Sequence, residues 1–444
     1  MNALVMAHFA ASLDWRDLPV AVQGRAETAL RDTLGCLLAG TRSTAFAAAR
    51  RAIALDSAGS DVSAAMRALA WAIAASAFDH DDGHYEGGGI HPGSTILPAL
   101  LATTRGHETR EDLLAALVVG YEVAIRAGYL LKPEISGGPY HCTGAASAIG
   151  AAAAVASYRG ATADTILSAI HIAAAHGPLA SLQLPMVKEL IGPAAAAAVT
   201  AALLAEAGFG GAPAKPSLGI APSPFDTAQA ANPFVSSIGE AWHILATYTK
   251  PWPCCRAIHP ALAAIETILH EQEGNWGQEW NAGMIERIEV EVMPGLEALA
   301  FLPPQSADHA QFSFPFAIGC LLANGAVLPE HLLGIRLTDP AVLAAGARVT
   351  LIASPEITPL APDRSYPAAV TVHAAGRSQR LRIDDAPGSL RNALSTAAIG
   401  RKYAANAALA GLDGEEARQL PDKSPAALAA ALTPFLVSTD RSTT

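Results

Sequence analysis

The sequence predicts a mainly α protein: a large all-helical domain carrying a smaller α+β insert. Three observations predict it. The first half of the 444-residue chain is a succession of apolar stretches, each opened by a polar cap or proline or closed by glycine. No strand pattern stands out before about residue 280, where Met284 to Val292 starts to alternate apolar and charged side chains. From Leu390 the helical pattern returns.

Taken in order, Arg16 to Ala39 reads as a helix closed by Gly40, and Ser43 to Leu55 as one ending near Gly59. Asp61 is placed to cap a helix running to Ala77. Helices then follow from Ser94 to Thr104, Thr109 to Leu131, Thr143 to Tyr158, Thr162 to Ala175 and Pro185 to Ala207. Gly208 to Pro224 is a Gly/Pro loop, Pro251 to Pro253 is a second break, and a helix starts again at Pro260 and runs to Glu271. Besides Met284 to Val292, strands are expected at Arg348 to Ile352 and Ala369 to His373, the latter pairing with Gln379 to Ile383 as a hairpin across Ala375-Gly376. Helices at Phe314 to Ala323 and Ala341 to Ala345 sit among these strands, and Ser395 to Ala410 and Ala426 to Leu436 close the chain. The expected division is an all-helical domain from residues 1–247 and 393–444 and an α+β insert over 248–392. A cleft between two such domains is the default ligand site.

Bulk composition narrows the function. Charged residues make up 16% and the hydrophobic set 51%, a balance that fits a folded core and not a disordered chain. Much of the apolar content is alanine, whose wide small-residue faces often end at a subunit interface, so a two-fold homodimer is expected. With 29 basic against 40 acidic residues, a net charge of −11 and no run of three Lys or Arg, nucleic-acid binding is not expected. Five cysteines, an odd number, argue against a disulfide framework, and neither a signal-peptide pattern nor a long membrane-spanning run stands out. The expected setting is cytoplasmic, with no membrane partner.

Between two apolar runs lies Phe78-Asp79-His80-Asp81-Asp82-Gly83-His84-Tyr85-Glu86-Gly87-Gly88-Gly89-Ile90-His91-Pro92-Gly93. Carboxylates and imidazoles concentrated in a Gly-rich loop between helices can move protons near neutral pH. In this reading Asp81 accepts from one nitrogen of His91 and raises the basicity of the other. The alternative is a loop in which Asp79 and Asp82 cap turns and His91 faces solvent. A metal held by Asp79, His80, Asp81, His84 and His91 is the weaker reading, because the spacing matches neither H-E-x-x-H nor a Cys/His zinc pattern. No Walker loop or dinucleotide fingerprint is present, and Gly87-Gly88-Gly89 does not follow a strand.

Other segments carry open alternatives. His141, before a small-residue helix, either helps hold a carboxylate at a helix N-terminus or is incidental to a capping turn made by Thr143. Lys188 either snorkels to solvent or points into a cleft. Lys250 sits in an extended segment ahead of two prolines. The vicinal Cys254-Cys255 pair either has a redox or soft-metal role or, more commonly, is buried and inert.

In sequence order, the Asp-rich loop ending in His91-Pro92-Gly93, Gly120-Tyr121-Glu122, His141-x-Thr143-Gly144, Met186-Val187-Lys188, Ala207-Gly208-Phe209-Gly210-Gly211, Lys250-x-x-Pro253-Cys254-Cys255-x-x-x-His259 and Pro387-Gly388-Ser389 with Arg401-Lys402-Tyr403 span nearly the whole chain. With these motifs the sequence resembles the MmgE/PrpD family. The resemblance implies a helical domain with an α+β lid, a dimer, and no metal or organic cofactor. It also implies chemistry next to a carboxylate of a small di- or tricarboxylate, as in 2-methylcitrate dehydratase, cis-aconitate decarboxylase and iminodisuccinate epimerase. Carried over by position, Asp81, His91, Lys188 and Lys250 are the implied catalytic set, with Tyr85, His141, Cys255 and His259 lining the pocket. Two departures stand out: Ile191 occupies a place where many members carry histidine, and the Asp-rich loop is short with Tyr85 in it. Ile191 favours the competing class, a non-catalytic carboxylate-binding protein.

Removing a proton beside a carboxylate builds negative charge on it, which lysines in a drier site stabilise, while an imidazole of ordinary pKa, about 6.5, serves as base. Loss of a β-hydroxyl, loss of CO2 or reprotonation on the other face then gives a dehydratase, a decarboxylase or an epimerase. The expectation is a lyase of the dehydratase type, with the other two as alternatives.

Overall fold

The structure, a computed structural model, describes residues 3–57, 61–135, 140–176, 180–181, 187–210, 231–275, 282–359, 366–412 and 414–437. In chain order the helices begin with α1 (Ala3–Ser12), α2 (Val20–Gly40), α3 (Thr44–Ser57), α4 (Ala64–Ser76), α5 (Gly93–Ala102) and α6 (Arg110–Ile135). Strand β1 (Tyr140–His141), α7 (Thr143–Tyr158), α8 (Ala163–His176), β2 (Ala180–Ser181), α9 (Val187–Glu206) and α10 (Pro233–Ser236) follow. Next come α11 (His259–Asn275), β3 (Ile285–Val292), α12 (Ala307–Ala310), α13 (Phe314–Asn324), α14 (Pro340–Gly346), β4 (Val349–Ala353), β5 (Ala368–Ala374) and β6 (Arg377–Ile383). The chain ends with α15 (Thr396–Leu409), α16 (Gly414–Gln419) and α17 (Pro425–Val437). The fold is therefore mainly α, as expected.

The chain forms two compact units. One comprises Met1–Ala77, Asp81–Thr247 and Thr396–Thr444; the other comprises Phe78–His80 and Tyr248–Ser395. In the first unit α7 is the central helix, buried along almost its whole length and packed against α5, α6, α8 and α9. Its run of Ala, Gly and Ser explains this, because small side chains let four neighbours approach one helix closely. Of the described residues, one stretch, Arg110–Leu131 of α6, is long and apolar enough to cross a membrane, but 94% of its window is buried inside the protein, as in a core helix. On α6, Glu122 and Arg126 form a completely buried ion pair. Glu122 also accepts from the backbone N–H groups of His243 (3.1 Å) and Ile244 (2.8 Å), and Arg126 donates to the carbonyls of Val235 (3.2 Å) and Ala241 (2.9 Å). The pair thus secures residues 235–244 to the helix, and its charges are matched by hydrogen bonds as burial requires.

In the second unit the sheet order is β4-β3-β5-β6, with β3 parallel to β4 and antiparallel to β5. The expected hairpin is present: Ala374 pairs with Arg377 across Ala375 (φ 50°) and Gly376 (φ 71°), the two positive φ values that a two-residue primed turn needs. Helix α11 packs on β5 and β6.

Three local expectations need correction. Strands do occur before residue 280: Tyr140 and His141 pair antiparallel with Ser181 and Ala180. Two residues are too few to show a period, so no pattern betrayed them. The helix expected from Arg16 starts at Val20, after a short 3₁₀ turn, because Pro19 holds Leu18 extended (ψ 139°). Ser63, not Asp61, caps α4, its hydroxyl accepting from the Met66 N–H. Helix α1 was not anticipated.

Candidate active site

Within the first unit, the loop after Asp81 is built to present His91. The His91 Nδ1 lies 2.7 Å from the Asp82 carbonyl oxygen. A carbonyl only accepts, so Nδ1 carries the proton and the neutral ring keeps its lone pair on Nε2. The backbone N–H of His91 donates to the Thr143 hydroxyl at 2.8 Å, tying the loop to the start of α7. The N-cap position of α7 is Cys142, which makes no side-chain cap. The Asp82 carboxylate accepts from the Tyr121 hydroxyl (2.5 Å) and the Gly93 N–H (3.2 Å). Burial raises its carboxyl to about 6, against the opposing pull of the Tyr121 hydrogen bond.

The orientation expected of Asp81 is corrected here. Its carboxylate Oδ2 is 3.7 Å from His91 Nδ1, beyond a hydrogen bond, and the Asp82 main chain takes that role. Asp81 Oδ2 is buried and has no hydrogen-bond partner. The carboxylate group stands beside the imidazole, where it can stabilise the ring once that has taken up a proton.

The far end of the loop is held by close backbone approach. Gly88 (φ 89°) passes so near α7 that a Cβ there would lie 2.6 Å from the Cys142 Sγ, which itself contacts the Gly88 carbonyl at 3.3 Å. His84 accepts the Gly87 N–H on Nδ1 at 2.9 Å and packs edge-on to Phe234 and His243. Burial lowers its pKa to about 3, so this ring is neutral and structural. Tyr85 is half-buried, and its carbonyl accepts the N–H groups of Gly88 and Gly89.

Within the second unit, Lys250 is 1% exposed, and its Nζ donates to the Asp79 carboxylate (2.7 Å) and to the Asp79 carbonyl (2.9 Å). Lys250 therefore does not face bulk solvent. Asp79 holds a left-handed φ of 50°, uncommon for a residue with a side chain and accepted here where both its acceptors meet one ammonium. The ammonium neutralises this carboxylate, which weakens Asp79 as a ligand for a divalent ion. His80 Nε2 lies 3.2 Å from the Pro251 carbonyl, a second tie between the two segments.

The remaining expected residues divide. Cys255 is partly exposed and burial pushes its thiol up to about 11, so it is protonated at neutral pH. His259 is fully buried: Nδ1 faces the Arg256 guanidinium at 3.0 Å and Nε2 the Cys254 carbonyl at 3.1 Å. Burial and the neighbouring Arg256 hold its pKa well below the ordinary histidine value. Both ring nitrogens are engaged, which leaves neither for a ligand and corrects the expectation that His259 lines a pocket. His141 lies in β1 and Lys188 in the first turn of α9, but both side chains lie outside the described residues. Ile191 is 0% exposed and belongs to the core of the first unit.

Sequence reasoning missed Asp79 as the partner of Lys250, Tyr121 as the donor to Asp82, and Arg256. Tyr121 lay within a quoted motif but no property of a tyrosine in a helix signals its partner. An Asp-x-Asp-Asp run offers three carboxylates without ranking them.

Residues 5–219 match the MmgE/PrpD N-terminal domain and residues 252–421 the MmgE/PrpD C-terminal domain. A search of curated proteins gives no match. With both of the family's domains matched in order along nearly its whole length, the chain belongs to the MmgE/PrpD family, whose members are in general enzymes of the dehydratase and epimerase type.

Proposed function

We propose that this protein is a cofactor-independent lyase of the dehydratase type, acting beside a carboxylate of a small di- or tricarboxylate. The observation that carries the reading is the His91 tautomer: with Nδ1–H committed to the Asp82 carbonyl, Nε2 is the basic nitrogen. In the proposed reaction Nε2 takes the proton from the carbon next to a substrate carboxylate. Asp81 offsets the charge of the resulting imidazolium. Lys188 and Lys250 hold substrate carboxylates and stabilise the charge that develops there. The carbanion expels the β-hydroxyl as its electron pair forms the carbon–carbon double bond, and the imidazolium returns its proton to the departing oxygen, giving water. The working form is proposed to be a homodimer.

Turnover of a panel of di- and tricarboxylates, followed by product analysis, tests the reading. An unsaturated acid is the expected product; an epimer formed without loss of water would move the assignment to the epimerase, and released CO2 to the decarboxylase. His91→Ala should lower turnover by about 10²-fold or more with the fold retained. Chelator should leave turnover unchanged. A protein that binds these acids with no turnover of any would be the non-catalytic binding protein instead.

A further inference from the structure

Pro387-Gly388-Ser389 lies more than a hundred residues from Lys250 in the chain, yet it grips the backbone of the residue before the lysine, Thr249. The Thr249 N–H donates to the Gly388 carbonyl at 2.9 Å. Gly388 has φ 89°, and a Cβ built there would lie 1.7 Å from the Thr249 carbonyl oxygen, so only glycine lets the two backbones meet. Arg256 holds the loop from its other side. Its guanidinium donates to the carbonyls of Pro387 (2.7 Å) and Ala386 (3.1 Å), faces His259 Nδ1 (3.0 Å), and sits 5.1 Å over the Tyr248 ring. On the far side of Lys250, the Pro251 carbonyl meets His80. Lys250 is thus fixed through both chain neighbours.

We infer that Gly388 and Arg256 are positioning residues for the Lys250 ammonium: the loop at residues 386–389, clamped by the buried guanidinium, sets where that ammonium stands. The inference rests on the proposed role of Lys250 in holding a carboxylate. A flexible lysine loses rotamer freedom on every binding event, whereas one locked through its backbone and by Asp79 is already in place. Arg256 suits the clamp because its planar fork reaches two carbonyls at once, which a lysine cannot do.

The test uses the full chain with Gly388→Ala and Arg256→Lys, and Lys250→Met to assign the Lys250 ammonium signal in ¹H–¹⁵N spectra at neutral pH. In both positioning variants that signal should shift or broaden while far-UV circular dichroism stays that of the parent. Citrate, as a probe polycarboxylate, should bind at least about 10-fold more weakly to Gly388→Ala, and less severely so to Arg256→Lys. An ammonium signal unchanged in a folded variant overturns the inference. Should Gly388→Ala fail to fold, Arg256→Lys decides. If the parent does not bind citrate, the reading of Lys250 as a carboxylate holder fails, and the ammonium signal still decides whether the loop positions it.

Discussion

Tyr121→Phe isolates the electrostatics beneath His91. The Tyr121 hydroxyl donates to Asp82 Oδ2 at 2.5 Å, and both groups are buried. Burial raises the Asp82 carboxyl from 3.8 to about 6 even with that hydrogen bond in place. A hydrogen bond to a charged group is worth about 1.5–3 kcal/mol, so removing it should raise the folded-state value further, to about 7–8. The sign follows from linkage. Asp82 has a raised folded pKa, so its protonated form favours folding, and that contribution is lost as pH climbs from about 4 through the folded value. Below about pH 6 both proteins hold Asp82 protonated and the substitution has a constant effect. Between about pH 6 and 8 the parent has already ionised and the variant has not finished, so the variant's deficit should grow by about 1.5–3 kcal/mol and then level off. Urea denaturation of parent and Tyr121→Phe across pH 5–9 measures this, and the same pair on an Asp82→Asn background should show no pH dependence in the difference. A deficit that stays flat across the range in the Asp82 background would refute the proposed coupling.

Two further outcomes follow from buried groups in the first unit. His84, lowered from 6.5 to about 3 chiefly by burial, contributes stability that is complete above pH 6.5 and lost as pH falls, amounting to about 2 kcal/mol at pH 5. His84→Asn, which keeps an acceptor for the Gly87 amide, should flatten the fall in urea midpoint between pH 7 and 5; an unaltered fall would show that His84 is not its source. Glu122→Ala leaves the Arg126 guanidinium buried without its counter-ion, and urea denaturation should show a loss of about 3–5 kcal/mol; a loss under about 1 kcal/mol would mean the pair is not the anchor of residues 235–244.

Much of the helical fold was legible because local chemistry states it. Thr143 to Tyr158 and the hairpin across Ala375-Gly376 match the observed elements, since a small-residue run between polar breaks and a two-residue turn need no distant partner to be recognised. The start of α2 was misplaced where Pro19 overrode a helical pattern, and β1 and β2 carry no period at two residues each. In the loop, the density of Asp and His pointed to His91 but could not reveal its acceptor. A main-chain carbonyl has no signature in sequence, so the pattern offers Asp81, a visible carboxylate, and not the Asp82 backbone. His259 was misread for a related reason: its role depends on Arg256, three residues earlier, which directs its guanidinium onto the imidazole and onto carbonyls at 386 and 387. Ile191 looked like a lost catalytic group, yet its side chain belongs to the core.

The account stands on His91 as the group that moves a proton next to a carboxylate. Incubating the parent and His91→Ala with a turned-over di- or tricarboxylate in D₂O, and following deuterium at the carbon beside the carboxylate by NMR, reads that step directly. Run from the unsaturated acid, the reverse hydration should place solvent deuterium at that carbon with the parent, delivered by the His91 imidazolium, and do so at least about 10²-fold more slowly with His91→Ala. Incorporation at the parent's rate in the folded variant would contradict the account and assign the proton to another base.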